Sequence, residues 1–147
     1  MPGDVLTRLN RYQTEYGEDD LFTVLYAIVD PHTARVTWAS AGHLPPLLRE
    51  PGGDTEYVEG GGGLMGLEEA VYSNIERPLQ PGATLILYTD GVVERRGESL
   101  DVGLERLVRA VTSGPDGPQQ LCDHMLAELL PEPQQHDDVT AVIVKVL

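Results

Sequence analysis

The sequence has almost no sulfur chemistry, little positive charge and no long apolar run. A single cysteine, Cys122, stands among 147 residues. That excludes a disulfide framework and a cysteine-built zinc cage. Cys122 lies in QLCDHMLAELL with Leu121, Met125 and Leu129 at helical spacing, so it reads as a small core residue rather than a nucleophile. Ten Lys and Arg stand against 24 Asp and Glu, for a formal net charge of −14. The basic residues are scattered, with Arg95-Arg96 the only doublet, and the basic stripe of a nucleic-acid binder is missing. No apolar run approaches the roughly 18–20 residues that span a bilayer. The start, MPGDVLTRLN, lacks the basic and then apolar order of a signal peptide. The expectation is a cytoplasmic chain that binds neither nucleic acid nor membrane. Its length suits one compact domain, residues 1–147, better than two with separate cores.

What is present is a sequence of short, well-punctuated segments. Pro2-Gly3-Asp4 opens a helical pattern in which Val5, Leu6, Leu9, Tyr12 and Tyr16 recur at three and four residues. Leu21 to Asp30 is apolar almost throughout and predicts a buried strand. Arg35 to Ala39 alternates and closes a hairpin with it. Leu47-Leu48-Arg49 predicts a short strand, Gly60 to Gly63 a mobile loop, and Val71 to Glu76 an edge strand. Ala83 to Tyr88 (ATLILY) is a strongly apolar strand that stops at Thr89-Asp90-Gly91. Leu104, Leu107, Val108 and Val111 mark one helix and Gln119 to Leu130 another. Thr140 to Leu147 closes the chain as a strand. The class is α+β, with helices packed on sheet.

Two places share one design. ATLILY runs into Asp90, and Asp137-Asp138 runs into VTAVIVKVL. Each puts a carboxylate at the end of an apolar strand, where it is costly unless solvated, paired or bound to a cation. Few arginines or lysines lie nearby in sequence. If the strands are neighbours, the carboxylates converge, and hard divalent cations prefer such oxygen donors. An ordinary Asp-Gly turn and an ordinary Asp-Asp loop are the competing reading. His43 follows Ala41-Gly42 and precedes Pro45-Pro46, so it is open to a phosphate contact, a general acid or a loop-ordering hydrogen bonder. His136 precedes the Asp pair and reads as solvent-facing, with a metal role as the alternative. His32 reads as a turn residue and His124 as a helix-surface residue.

Taken in order, LTRLN, LFTVLYAIVDPHTARVTWASAGHLPPLL, GLMGLEE, LQPGATLILYTDGVVE, GLERLVRAV and HDDVTAVIVKV resemble the SpoIIE/RsbU-type members of the PPM (protein phosphatase 2C-like) family. AGH-x-PP, LYTDGV-x-E and DDVT together form the specific part of the likeness. The resemblance implies a β-sandwich flanked by helices, with two Mn²⁺ or Mg²⁺ ions held by aspartates at one edge. It implies metal-assisted hydrolysis of phosphoserine or phosphothreonine without a covalent phosphoenzyme. Carried over by motif, Asp90 and Asp137 are catalytic metal ligands, Asp138 supports them from outside, and His43 contacts substrate. The implied substrate is a phosphorylated anti-sigma-factor antagonist of the STAS type.

The N-terminal strands on which the family carries its Gly-Asp and Asp-x-x-Gly-His-Gly motifs, the source of its other metal aspartates, have no counterpart here: Asp-x-x-Gly-His-Gly does not occur, and the Gly-Asp pairs present, Gly3-Asp4 and Gly53-Asp54, fall at a helix start and in a turn. The expectation is therefore a domain without its N-terminal strands, an incomplete two-metal site and weak or no turnover. Exposed sheet edges would then invite self-association. A phosphatase-fold module that binds and regulates a partner without catalysis is the alternative.

Overall fold

In the computed structural model, residues 1–17, 20–58, 60–130 and 138–147 are described. In chain order they form α1 (Pro2–Tyr16), β1 (Val24–Asp30), β2 (Arg35–Ala41), β3 (Leu47–Arg49), β4 (Thr55–Tyr57), β5 (Ile75–Pro78), β6 (Thr84–Tyr88), a 3₁₀ turn (Asp90–Val92), α2 (Leu100–Ser113), α3 (Pro118–Leu129) and β7 (Ala141–Lys145). The strands make two antiparallel sheets, ordered β1-β2-β5 and β4-β3-β6-β7. The fold is α+β, as the segment pattern predicts. Two compact units divide it: Met1–Pro45 with Glu59–Leu79, and Pro46–Val58 with Gln80–Leu147.

In the first unit, α1 lies on β2 and β1. Leu6, Ala39, Ala41, Met65 and Tyr72 form the buried cluster, with Val24 and Ala70 against it. Burying a leucine such as Leu6 stabilises by about 1.5–3 kcal/mol. The helix does not bury the stripe that its apolar spacing predicts. Pro2, Gly3, Leu6 and Asn10 face inward, while Val5, Leu9, Tyr12 and Tyr16 stay exposed. Asn10 replaces an apolar residue because it ties a loop. It donates to the Glu68 carbonyl and accepts from the Gly66 N–H, both at 2.8 Å.

Two further expectations shift here. The Leu21–Asp30 run forms a shorter strand, β1, and it is an edge strand, half-buried rather than buried. The later edge strand starts at Ile75, because the residues before it are held by α1 instead. Tyr72 N–H donates to Thr7 Oγ1 at 3.0 Å, and Gly3 N–H to Asn74 Oδ1 at 2.8 Å.

In the second unit, β6 is central, flanked by β3 and β7. Thr84, Leu85, Ile86 and Tyr88 are buried, as are Leu107 and Val111 on α2 and Leu121, Met125 and Leu129 on α3. Cys122 is half-buried beside that stripe rather than in it. Pro118, one residue before the predicted helix start at Gln119, is the first residue of α3, where its missing N–H costs nothing. Arg49 is buried and caps the end of α2. Its guanidinium donates to the carbonyls of Val111, Gly114 and Pro115 at 2.9–3.0 Å, where the helix dipole is negative.

Candidate functional site

The register of β6 and β7 pairs Tyr88 with Ala141. Asp90 and Asp138 therefore lie on continuations of neighbouring antiparallel strands, at one sheet end. Asp90 opens the 3₁₀ turn and is exposed. Its Oδ1 accepts from the Gly91 N–H at 2.8 Å. Asp138 is also exposed. A Cβ added to Gly91 would sit 2.7 Å from the Asp138 carbonyl oxygen, so the two backbones run against each other. Thr89 lies between them and bonds across: its Oγ1 donates to the Asp138 carbonyl and accepts from Thr140 N–H, each at 3.0 Å. The local sequence signals the aspartates but not Thr89, whose partners lie 49 and 51 residues away.

The turn is anchored from behind. Val92 and Val93 are buried, and a Cβ on Gly103 of α2 would meet the Val93 carbonyl oxygen at 2.1 Å. Arg95 donates to the Leu129 carbonyl at 2.7 Å. Before the turn, Tyr57 donates its hydroxyl to the Leu104 carbonyl at 2.7 Å. Burial pushes Tyr57 up to about 12. Burial, reinforced by Tyr57, raises Tyr88 further above its ordinary value of 10.0.

Asp137 and His136 lie outside the described residues. His43 belongs to the first unit and is half-buried in a fixed turn. Its Nδ1 pairs with Thr23 Oγ1 at 3.0 Å, and its carbonyl accepts from Ser40 Oγ at 3.3 Å. Gly42 makes that turn with φ 66°. The Gly60–Gly63 run is tied to the same turn: Gly42 N–H donates to the Gly62 carbonyl at 3.2 Å, and Tyr72 OH to the Gly63 carbonyl at 3.2 Å. His32 is a turn residue whose N–H donates to Asp30 at 2.8 Å. His124 is half-buried, with Nε2 enclosed and unpartnered among the described residues, rather than a surface residue.

Asp90 and Asp138 fit a hard divalent cation in donor chemistry. They are oxygen donors at one sheet end, and among the described residues neither is paired with an arginine or lysine. They do not make a full cage. Among the described residues, no group of three or more His, Cys, Asp or Glu side chains is placed to hold a metal ion.

A family model described as Stage II sporulation protein E (SpoIIE) matches residues 1–147. The phosphoserine phosphatase RsbU of Bacillus subtilis (strain 168) is 28% identical over 152 residues, which cover 98% of this chain and 45% of that protein. The crystal structure of the RsbU and RsbW domains of Rv1364c from Mycobacterium tuberculosis matches with a TM-score of 0.84 at 26% identity. It covers 97% of this chain and 41% of that one. The SiaA-PP2C domain of Pseudomonas aeruginosa matches with a TM-score of 0.75 at 23% identity, over 98% of this chain and 60% of that one. The fold is that of PP2C-type phosphatase domains, and the resemblance carried by the motifs holds. The chain belongs to the SpoIIE family. It spans less than half the length of the curated relatives it matches. No helix among the described residues is long and apolar enough to cross a membrane.

Proposed function

We propose that this chain is a PPM-type protein serine/threonine phosphatase domain that hydrolyses phosphoserine or phosphothreonine on a regulatory protein in the cytoplasm. The observation that carries the reading is the β6–β7 pairing, which brings Thr89-Asp90-Gly91 against Asp138 at one exposed sheet end. Asp90 and Asp137 would hold Mn²⁺ or Mg²⁺ there, with Asp138 orienting them from outside. A divalent cation at such a site supplies Lewis-acid polarisation of phosphoryl oxygens and lowers the pKa of a bound water. The chain's own part is to fix the carboxylates on a rigid strand end, open to solvent, so that a phosphorylated side chain can reach them. His43 would contact substrate from its glycine-held turn. The family likeness favours a phosphorylated STAS-type anti-sigma-factor antagonist as partner. The family's Asp-x-x-Gly-His-Gly motif, a source of its other metal aspartates, is not among these 147 residues, so turnover by them would be slow or absent. That same observation favours the second reading, a phosphatase-fold module that binds and regulates a partner without catalysis.

The test is release of phosphate from a phosphoserine peptide, with and without Mn²⁺, by this chain and its Asp90→Asn variant. Slow release that needs Mn²⁺ and is lost in Asp90→Asn supports the phosphatase. Peptide binding without release at saturating Mn²⁺ supports the binding module. Release that ignores both Mn²⁺ and Asp90 contradicts the proposed site.

A further inference from the structure

We propose that Thr89 is a positioning residue for this site, with its hydroxyl locking the Asp90 turn to the Asp138 backbone before any cation arrives. The inference rests on the reading of this sheet end as a metal site. Beyond Tyr88 and Ala141 the next residues across are Thr89 and Thr140, and Thr89 N–H donates to the Thr140 carbonyl at 3.0 Å. An antiparallel pair would return that bond from Thr140 N–H to the Thr89 carbonyl. That carbonyl instead accepts the Val92 N–H at 3.0 Å, because the chain is already turning to present Asp90. The Thr89 hydroxyl takes its place. It accepts the Thr140 N–H and donates its own O–H to the Asp138 carbonyl. One group that both accepts and donates closes the sheet end, and a hydroxyl is the small side-chain group that does both.

Gly91 gives a second, independent observation. The Asp138 carbonyl lies 2.7 Å, and Val139 Cγ2 3.3 Å, from where a Cβ on Gly91 would stand. Any side chain there would push the Asp138 strand off the turn. Thr89 draws the two acidic segments together and Gly91 leaves them room. Two nearby carboxylates repel each other, so in the absence of a cation their spacing must come from bonds of this kind.

The test compares Thr89→Val, which keeps the shape and loses the hydroxyl, with Thr89→Ser, which keeps the hydroxyl. Gly91→Ala is a third variant. Two readouts are taken: amide hydrogen exchange at Thr140 in the metal-free chain, and Mn²⁺ affinity by calorimetry. Thr89→Val is expected to speed Thr140 exchange and to weaken Mn²⁺ binding by about tenfold, the low end of the effect of removing an orienting partner. Thr89→Ser is expected to stay within about twofold of the parent in both, and Gly91→Ala to weaken Mn²⁺ binding like Thr89→Val. Parent-like Mn²⁺ affinity in folded Thr89→Val overturns the inference. So does a Thr89→Ser variant as weak as Thr89→Val, which would assign the effect to the methyl group. A parent chain that binds no Mn²⁺ while Thr140 exchange still responds to Thr89→Val overturns the metal reading itself, and the proposal with it.

Discussion

Two apolar runs of this chain look alike and end in opposite surroundings. LYAIV in β1 and TLILY in β6 are both rich in β-branched and aromatic residues. β1 has one neighbour in its sheet, and its Tyr26 and Ile28 are 39% and 44% exposed. β6 has a neighbour on each side, and Ile86 is fully buried. The difference teaches that an apolar run specifies a strand but not how many strands will flank it. It also suits the site. The strand that delivers Asp90 has a neighbour on each side, and the turn that follows it backs onto Gly103 of α2.

Substitutions can break that comparison, and the largest effect belongs to the central strand. Ile86→Ala should cost about 3 kcal/mol in urea unfolding, as buried isoleucine truncations do. Ile28→Ala should cost about 1 kcal/mol or less. Equal losses would mean that β1 is covered in solution, which is the outcome self-association through that edge would produce. Arg49→Met comes next. It leaves the carbonyls at the end of α2 without their donor and should cost about 2 kcal/mol by the same measurement. Its counterpart in the first unit, Arg35, forms an exposed pair with Glu76, and Arg35→Ala should cost under about 1 kcal/mol.

A smaller effect is expected in alkali. Tyr57 is raised from 10.0 to about 12 by burial, so the folded chain keeps its proton after the unfolded chain has lost it. The stability this contributes is complete below pH 10 and declines from there as pH rises toward about 12. Thermal unfolding across that window should show the decline, and Tyr57→Phe should lessen it, with buried Tyr88 contributing the rest. A profile that is flat in the parent chain would mean that Tyr57 is more open to solvent than its burial indicates.

Much of this was legible in the residues. β6 and β7 are bounded by their own punctuation, Pro81-Gly82 before one and Asp137-Asp138 before the other, and the family motifs stand at their ends. Legibility failed where a partner distant in sequence decides. Val5, Leu9, Tyr12 and Tyr16 make a better apolar stripe than the face α1 buries, but Asn10 is claimed by the Gly66–Glu68 loop. β4 is three residues long and owes its pairing to β3. A lone Thr-Asp-Gly reads as a turn. That its threonine hydroxyl serves β7 depends on which strand lies alongside, which spacing within the motif does not encode. Asp137, half of the expected ligand pair, lies outside the described residues, so the site has its geometry on the Asp90 and Asp138 side.

The central claim is that the acidic end of β6 and β7 is a divalent-cation site. Calorimetric titration of Mn²⁺ into this chain and into Asp90→Asn tests it most directly. The account predicts saturable binding by the parent chain and its loss in Asp90→Asn, with both chains folded. Binding that Asp90→Asn leaves unchanged, or a folded parent chain that binds no Mn²⁺, would contradict it.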